Sequence, residues 1–161
     1  MNKETEIRIK LNKELESKIR ELSDNWKKKV QVDDYYRGDF NGCLLRLRKE
    51  DGDIVFCCKY FNKDKTWNEI EFEIKEEIKL KKILQLIANK HFQISKVRET
   101  AKIKHKGKDI EVNIDRIKGL GLYCEFEVIN MDRSFLIDFL NEKGIKGQII
   151  KKGYVQLVEN E

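Results

Sequence analysis

Residues 112–128 read VNIDRIKGLGLYCEFEV, and the fold prediction starts from this stretch. Apolar and polar residues alternate on both sides of the glycines, and a period of two is typical of strands with one buried face. After the turn, Phe126 and Val128 lie on one face of the strand while Glu125 and Glu127 lie on the other. The stretch therefore predicts two strands, one of which carries like charges at alternate positions.

The same alternation recurs along most of the chain. Asp51-Gly52 predicts a tight hairpin turn between two such segments, and Lys106-Gly107 predicts a second one. Because strands joined by short hairpins pair antiparallel, we expect one large antiparallel sheet. The predicted strands are Glu4–Leu11, Leu44–Lys49, Ile54–Phe61, Glu69–Ile74, Ile94–Lys104, Ile110–Ile117, Tyr123–Val128 and Gln148–Val158.

Apolar residues at helical spacing predict three helices. The first follows Asn12, a suitable N-cap residue, and the second lies near Glu76 to Asn89. The third follows Asp132 or Ser134, and Gly144 suits its C-terminal end. Strands and helices in this order indicate an α+β domain in which helices pack on one antiparallel sheet.

On the polar face of several predicted strands, all charges have one sign. These sets are Glu4 and Glu6; Arg46 and Arg48; Glu69, Glu71 and Glu73; Lys96, Arg98, Lys102 and Lys104; and Glu125 and Glu127. Like charges on one strand face repel unless opposite charges, ions or solvent compensate them. One interpretation is a solvated sheet face with cross-strand ion pairs. The other is a closed sheet whose interior binds a metal ion through carboxylates and phosphate through arginine and lysine.

Composition excludes several classes of protein. The chain has 161 residues, with 34 Lys and Arg against 29 Asp and Glu, and a formal net charge of +5. That excess permits anionic partners but does not by itself indicate nucleic-acid binding. The four cysteines and two histidines have no metal-ligand spacing, so structural zinc, a disulfide framework and a Cys–His nucleophile are poorly supported. There is no apolar run of about 18 residues and no signal peptide, so we expect a cytoplasmic protein.

Taken together, several segments resemble the CYTH superfamily, the triphosphate tunnel metalloenzymes. ETEIR resembles the family's E-x-E-x-K strand, with Arg8 in the place of the lysine. KVRETAK is similar to its K-x-R-x-x-x-[KR] pattern at Lys96, Arg98 and Lys102. The segments VDDYYRG, LLRLR, EIEFE, residues 112–128 and the closing KGY follow in the family's order. The resemblance covers nearly the whole chain and depends on the order and spacing of these segments.

The resemblance implies one tunnel domain over residues 1–161, an eight-stranded antiparallel β-barrel with helices packed on its outside. It also implies Mg²⁺ or Mn²⁺ as cofactor. The implied metal ligands are Glu4, Glu6, Asp115, Glu125 and Glu127. The implied substrate-binding residues are Arg46, Arg48, Lys96, Arg98, Lys102 and Lys152, and the implied catalytic positions are Arg8 and Lys59. Because arginine stays protonated, Arg8 does not supply a titratable base.

Three functions are compatible with this resemblance. The first is metal-dependent cleavage of thiamine triphosphate, inorganic tripolyphosphate or a nucleoside triphosphate. The second is a class IV adenylate cyclase, which converts ATP to cyclic AMP and pyrophosphate. The third is a module that binds polyphosphate or RNA without turnover, although paired carboxylates would repel phosphate in the absence of metal. We expect a small molecule that contains triphosphate as partner, no membrane or nucleic acid, and a monomer or homodimer.

Overall fold

The computed structural model describes residues 3–39, 42–61 and 67–159. Within these ranges the chain forms an α+β structure of nine strands and four helices. The elements are β1 (Glu4–Lys10), α1 (Lys13–Arg20), β2 (Lys27–Arg37), β3 (Leu44–Glu50), β4 (Asp53–Phe61), β5 (Trp67–Glu73), α2 (Glu77–Ile87), β6 (Lys90–His105), β7 (Lys108–Ile117), β8 (Gly121–Ile129), α3 (Arg133–Glu142), β9 (Ile149–Ile150) and α4 (Tyr154–Glu159).

The strands form one sheet in the order β5-β4-β3-β2-β6-β7-β8-β1-β9. Strand β3 pairs antiparallel with both β2 and β4, and β8 pairs antiparallel with both β7 and β1, as the hairpin signals predict. Among the described residues the sheet ends at β5 and β9, so it is not closed and the predicted barrel is not confirmed. The chain divides into two compact units. We call Met1–Lys29 with Val97–Glu161 the first unit, and Val30–Lys96 the second unit.

The first unit buries one face of its strands beneath helices. Ile7, Val112 and Phe126 point to this face from β1, β7 and β8, and each is at most 1% exposed. They pack in one apolar cluster with Leu136 and Phe139 of α3. Because side chains alternate along a strand, burial of these residues fixes the charged residues between them on the opposite face.

The second unit is built in the same way. Tyr36 of β2, Leu47 of β3 and Leu84 of α2 form its buried apolar cluster. In the β2–β3 ladder, Asp33 is opposite Arg48 and Tyr35 is opposite Arg46, and all four lie on the face away from this cluster. The apolar alternation seen in the sequence therefore sets the direction of the charged side chains in both units.

The structure confirms the three predicted helices and both predicted hairpins. Asn12 caps α1, its side chain accepting from the backbone of Leu15 at 2.8 Å. Asp132, rather than Ser134, caps α3. At the first hairpin Asp51 and Gly52 have positive φ angles of 50° and 93°, and Lys106-Gly107 at the second has the same character.

Two parts of the strand prediction are wrong. Strand β2 is absent from it, because the lysine run and Asp-Asp-Tyr-Tyr segment obscure the alternation between apolar and polar residues. The predicted strand Gln148–Val158 is instead the two-residue β9 followed by α4. The segment after Gly153 is short, and its apolar residues fit a helical period as well as a period of two. Periodicity therefore could not distinguish a helix from a strand there. In the described part of the chain, no helix has the length and apolar character needed to cross a membrane.

Candidate functional site

Three carboxylates come together on the charged face of the first unit. Glu4 and Glu6 lie on β1, Glu127 lies on β8, and the strand register sets Glu6 directly opposite Glu127. Their oxygens lie within 4.8 Å of one another, close enough to ligate a single cation. We call Glu4, Glu6 and Glu127 the carboxylate cluster. It unites three of the five metal ligands that the family resemblance implies.

The charge of the carboxylate cluster is only partly compensated by the protein. Burial raises the pKa of Glu127 well above its ordinary value, and the negative charges of Glu125, Glu4 and Glu6 raise it further. Arg98 acts in the opposite direction but does not cancel this shift. A divalent cation would remove the repulsion between these groups, and carboxylate oxygens are hard ligands of the kind that Mg²⁺ and Mn²⁺ prefer. The donor set therefore fits the implied cofactor.

Asp115 and Glu125, the other two implied ligands, are bound to arginine. Arg98 donates from Nε and Nη2 to the two oxygens of Asp115, at 2.7 and 2.6 Å, and from Nη2 also to Glu125. The hydroxyl of Tyr154 donates to Asp115 Oδ2 at 2.9 Å. Asp115 is fully buried and Glu125 is 4% exposed. In this arrangement both carboxylates orient Arg98 and lie outside the carboxylate cluster.

Arg8 is enclosed by protein groups. Its Nε donates to Glu125 at 2.8 Å, its Nη2 to Glu6 at 3.0 Å and to Glu125, and its Nη1 to the carbonyl oxygen of Lys152 at 2.8 Å. The guanidinium lies 4.3 Å from the ring centroid of Tyr154. Burial lowers the pKa of Arg8, but the charges of Glu125 and Glu6 raise it above its ordinary value. Arg8 is therefore a permanent cation.

The remaining cations implied for the first unit are exposed. Lys102 points to solvent from β6, and Lys152 lies between β9 and α4. The structure gives a role only to the backbone of Lys152, through its carbonyl oxygen. Among the described contacts, none brings either lysine side chain to the carboxylate cluster.

The charged face of the second unit contains three of the six substrate-binding residues that the resemblance implies, Arg46, Arg48 and Lys96. Arg48 donates from Nε and Nη2 to the two oxygens of Asp33, at 2.7 and 2.9 Å. Lys96 Nζ lies 4.0 Å from the same carboxylate. Asp33 is fully buried, which by itself would raise its pKa, but Arg48 and then Lys96 and Arg46 lower the pKa to about 2. Asp33 is thus a charged anchor for Arg48.

Arg46 and Lys59 form a second group on this face. Arg46 Nη2 donates to Glu71 at 2.6 Å and lies 3.7 Å from Glu69, which also pairs with Lys59. The Nε of Arg46 is buried and has no hydrogen-bond partner within the described ranges. Burial and Arg46 lower the pKa of Lys59, but Glu69 raises it overall, so Lys59 is an ammonium at neutral pH.

A second set of possible metal ligands lies beside these cations but fits a metal poorly. Cys57, Glu69 and Glu71 have ligand atoms within 4.8 Å of one another. Burial raises the pKa of Cys57 to about 12, so the thiol stays protonated at neutral pH, whereas a metal ligand must be a thiolate. Arg46 and Lys59 already compensate the two carboxylates.

Sequence reasoning missed two groups that organise these faces. Tyr154 occurs in the KGY segment that resembles the family, but its hydroxyl contact with Asp115 follows from a helix where the sequence predicts a strand. Asp33 occurs in the VDDYYRG segment, but its partnership with Arg48 depends on β2, which is absent from the prediction. In both cases the residue lies in a segment that resembles the family. Its contact could not be predicted, because the contact depends on an element, α4 or β2, that the sequence did not predict.

This chain is similar to known proteins over nearly its whole length. The CYTH domain model matches residues 2–154. A relative from Methanocaldococcus jannaschii with the provisional name of an adenylate cyclase is 34% identical over 175 residues, covering 96% of this chain and 97% of its own length.

Two solved structures share the fold at lower sequence identity. The PH1819 protein of Pyrococcus horikoshii OT3 has a TM-score of 0.76 at 22% identity, with 98% of this chain and 99% of that one covered. A protein from Hippeastrum has a TM-score of 0.69 at 16% identity, with 99% and 96% covered. The match of the domain model over nearly the whole chain, together with the archaeal relative, establishes that this protein belongs to the CYTH domain family.

Proposed function

We propose that this protein is a metal-dependent enzyme that cleaves a triphosphate. One observation carries the proposal: Glu4, Glu6 and Glu127 place oxygens within 4.8 Å of one another, close enough to bind one cation. Carboxylate ligands for Mg²⁺ or Mn²⁺ are the usual means by which proteins bind the metal complex of a polyphosphate. Membership of the CYTH family supports the same assignment.

Within the first unit, Arg98 is proposed to bind phosphate oxygens. Asp115 and Glu125 hold its guanidinium from two sides, so its direction is fixed before substrate arrives. A preorganised cation of this kind stabilises negative charge that develops during phosphoryl transfer. Lys102 and Lys152, both exposed, are proposed as further phosphate-binding residues on the family resemblance.

Within the second unit, Arg46, Arg48, Lys59 and Lys96 are proposed to bind phosphate as well. The buried and unpartnered Nε of Arg46 offers a hydrogen-bond donor for an anionic oxygen. Lys59 is protonated, so we assign it to charge neutralisation and not to proton abstraction. Glu69 and Glu71 would exchange their contacts with Arg46 and Lys59 for solvent when phosphate binds.

The bound metal ion would polarise phosphate oxygens and supply a nucleophile at neutral pH. The protein side chains orient the phosphate chain, neutralise charge at the bond that breaks, and keep Glu4, Glu6 and Glu127 close together. In hydrolysis, water attacks the terminal phosphorus and the bridging P–O bond to that phosphorus breaks. The diphosphate product leaves, orthophosphate is released, and a proton of the water passes to solvent. The substrates we propose are thiamine triphosphate, inorganic tripolyphosphate and nucleoside triphosphates.

Adenylate cyclisation is the second candidate, favoured by the name of the Methanocaldococcus jannaschii relative. In that reaction the ribose 3′-hydroxyl of ATP attacks the α-phosphorus and pyrophosphate leaves. The Hippeastrum protein, which shares only the fold with this chain, is described as an adenylyl cyclase candidate with a dominant triphosphatase activity. That description supports assaying both reactions.

The test is an assay of purified protein with Mg²⁺ or Mn²⁺ against ATP, thiamine triphosphate and tripolyphosphate. Released phosphate supports the hydrolase, whereas cyclic AMP with pyrophosphate supports the cyclase. Glu127→Gln should lower turnover at least about a hundredfold, because it removes a ligand from the carboxylate cluster. The matched control is Glu99→Gln, since Glu99 lies on β6 and pairs with Arg20 at 2.7 Å, away from the cluster.

Binding without turnover of any of the three substrates would favour the non-catalytic module. Equal turnover by Glu127→Gln and wild type would remove the carboxylate cluster from the mechanism and overturn the proposal.

A further inference from the structure

Arg8 has almost no hydrogen-bonding capacity left for a ligand. A guanidinium has five N–H groups: one on Nε and two on each terminal nitrogen. In Arg8, Nε donates once to Glu125, Nη1 donates once to the Lys152 carbonyl, and Nη2 donates to both Glu6 and Glu125. These four contacts leave one N–H group on Nη1. A phosphate that bound in the bidentate manner usual for arginine would have to displace protein acceptors.

Access to Arg8 is also restricted. The ring of Tyr154 covers one face of the guanidinium, with its centroid 4.3 Å from the guanidinium carbon. Its charge contributes where it lies, because Glu125 is 4% exposed and Arg98 alone would remain to compensate this buried carboxylate. Moving Arg8 onto phosphate would remove its contacts with Glu125 and Glu6, and Glu6 lies directly opposite Glu127 in the strand register.

The contacts of Arg8 extend to the C-terminal segment. Nη1 binds the carbonyl oxygen of Lys152, and two residues later the Tyr154 hydroxyl donates to Asp115. Burial, Glu125 and Asp115 raise the pKa of Tyr154 well above its ordinary value, so its hydroxyl remains a donor at neutral pH. Residues 152–154 are therefore joined to β1 through Arg8 and to β7 through Asp115.

The geometry points to a role for Arg8 different from that of a phosphate ligand: Arg8 is a positioning residue that fastens residues 152–154 to the sheet and holds Glu6 in the metal-binding arrangement. Arg46 of the second unit provides the contrast, because its buried Nε has no partner in the described ranges. The proposed effect on metal binding rests on the proposed function, whereas the fastening of the C-terminal segment does not.

The experiment compares Arg8→Gln and Arg8→Lys with wild type by three measurements. The first is amide hydrogen exchange of residues 152–158 in metal-free protein. The second is Mn²⁺ affinity, and the third is affinity for a non-hydrolysable triphosphate analogue at saturating Mn²⁺. The control is Lys10→Gln, which changes an exposed cation on the same face of β1.

We expect Arg8→Gln to accelerate exchange of residues 152–158 and to weaken Mn²⁺ binding about tenfold or more, as loss of a residue that orients ligands does. Arg8→Lys should lie between wild type and Arg8→Gln. Analogue affinity at saturating Mn²⁺ should change less than about threefold. Weaker analogue binding with unchanged exchange and unchanged Mn²⁺ affinity would overturn the inference and make Arg8 a phosphate ligand.

Tyr154→Phe provides a second route that leaves Arg8 in place. It removes the hydroxyl contact with Asp115 and should accelerate exchange in the same segment. Unchanged exchange in Tyr154→Phe and in Arg8→Gln would overturn the fastening role. If wild-type protein turns over no triphosphate, the proposed function fails, yet faster exchange in these variants still supports the fastening of residues 152–154.

Discussion

The charged faces of the two units differ in the electrostatic surroundings of their carboxylates. In the first unit, burial and the charges of Glu125, Glu4 and Glu6 raise the pKa of Glu127. In the second unit the buried carboxylate Asp33 has a pKa of about 2, and a buried nitrogen of Arg46 has no partner in the described ranges. The first face is thus suited to a cation and the second to an anion.

Arginines of similar burial differ in how many of their donors the protein engages. Arg8 and Arg46 are 7% and 5% exposed, yet the first uses nearly all its donors on protein and the second does not. If only burial and charge were considered, both Arg8 and Arg46 would be assigned to a binding site. The number of donors already engaged distinguishes a residue that holds the site together from one that is available to a ligand.

The largest expected effect on stability comes from Arg98 in the first unit. Arg98→Ala leaves the buried carboxylates of Asp115 and Glu125 with fewer cations, and loss of one partner from a buried pair costs about 3–5 kcal/mol. Urea unfolding at neutral pH should show this loss. Lys102→Ala, which removes an exposed cation from the same strand, should change the free energy of unfolding by about 0.5 kcal/mol or less.

Equal unfolding free energies for these two variants would mean that Arg98 does not compensate the buried acids. If Arg98→Ala does not fold, Arg98→Lys replaces it, because lysine retains the charge but not the paired contacts. Its loss of unfolding free energy should lie between that of Lys102→Ala and the loss expected for Arg98→Ala.

The second unit should depend on pH in the acid range through Asp33. Its folded pKa of about 2 lies below its ordinary value of 3.8, so ionised Asp33 stabilises the fold above about pH 4. That stabilisation, about 2–3 kcal/mol, is lost as the pH falls from about 4 to 2. Arg48→Ala removes the main cause of the lowered pKa and should already lose about this amount at neutral pH.

Unfolding measured between pH 2 and pH 7 tests this expectation, and the control is Lys82→Ala, which removes an exposed cation from α2 of the same unit. A wild-type acid dependence that persists unchanged in Arg48→Ala would show that Asp33 is not its source.

The sequence was sufficient for the parts of the site that depend on alternation alone. Glu6 and Glu127 could be placed on the charged faces of β1 and β8 because Ile7 and Phe126 beside them had to be buried. Pairings across strands could not be predicted in the same way. The partnership of Arg48 with Asp33 requires the register of β2 on β3, and alternation within one strand carries no information about register.

The C-terminal segment shows a different limit of sequence reasoning. Tyr154 reaches Asp115 from a short helix, whereas the sequence predicts a strand over the same residues. The choice between these structures depends on packing against the rest of the unit, since Tyr154 and Val155 are buried there. The closed barrel implied by the family resemblance likewise stays a prediction, because closure depends on contacts between distant strands.

The smallest expected effect is that of Glu127→Gln on the stability of metal-free protein. We expect this variant to be more stable than wild type, whereas Arg48→Ala should be less stable. A raised folded pKa means that Glu127 favours folding only while protonated, and this contribution is lost as the pH rises through the folded pKa. Glu127→Gln mimics the protonated form and removes repulsion with Glu125, Glu4 and Glu6. At alkaline pH the variant should therefore melt slightly above wild type, with the difference shrinking as the pH falls.

Thermal melts in chelator across this range test the expectation, and Glu99→Gln is the control because the pKa of Glu99 is lowered by its hydrogen bond with Arg20. If Glu127→Gln melted below wild type at alkaline pH, the protein itself would stabilise the ionised carboxylate of Glu127. The contrast between the first unit and the second would then be wrong.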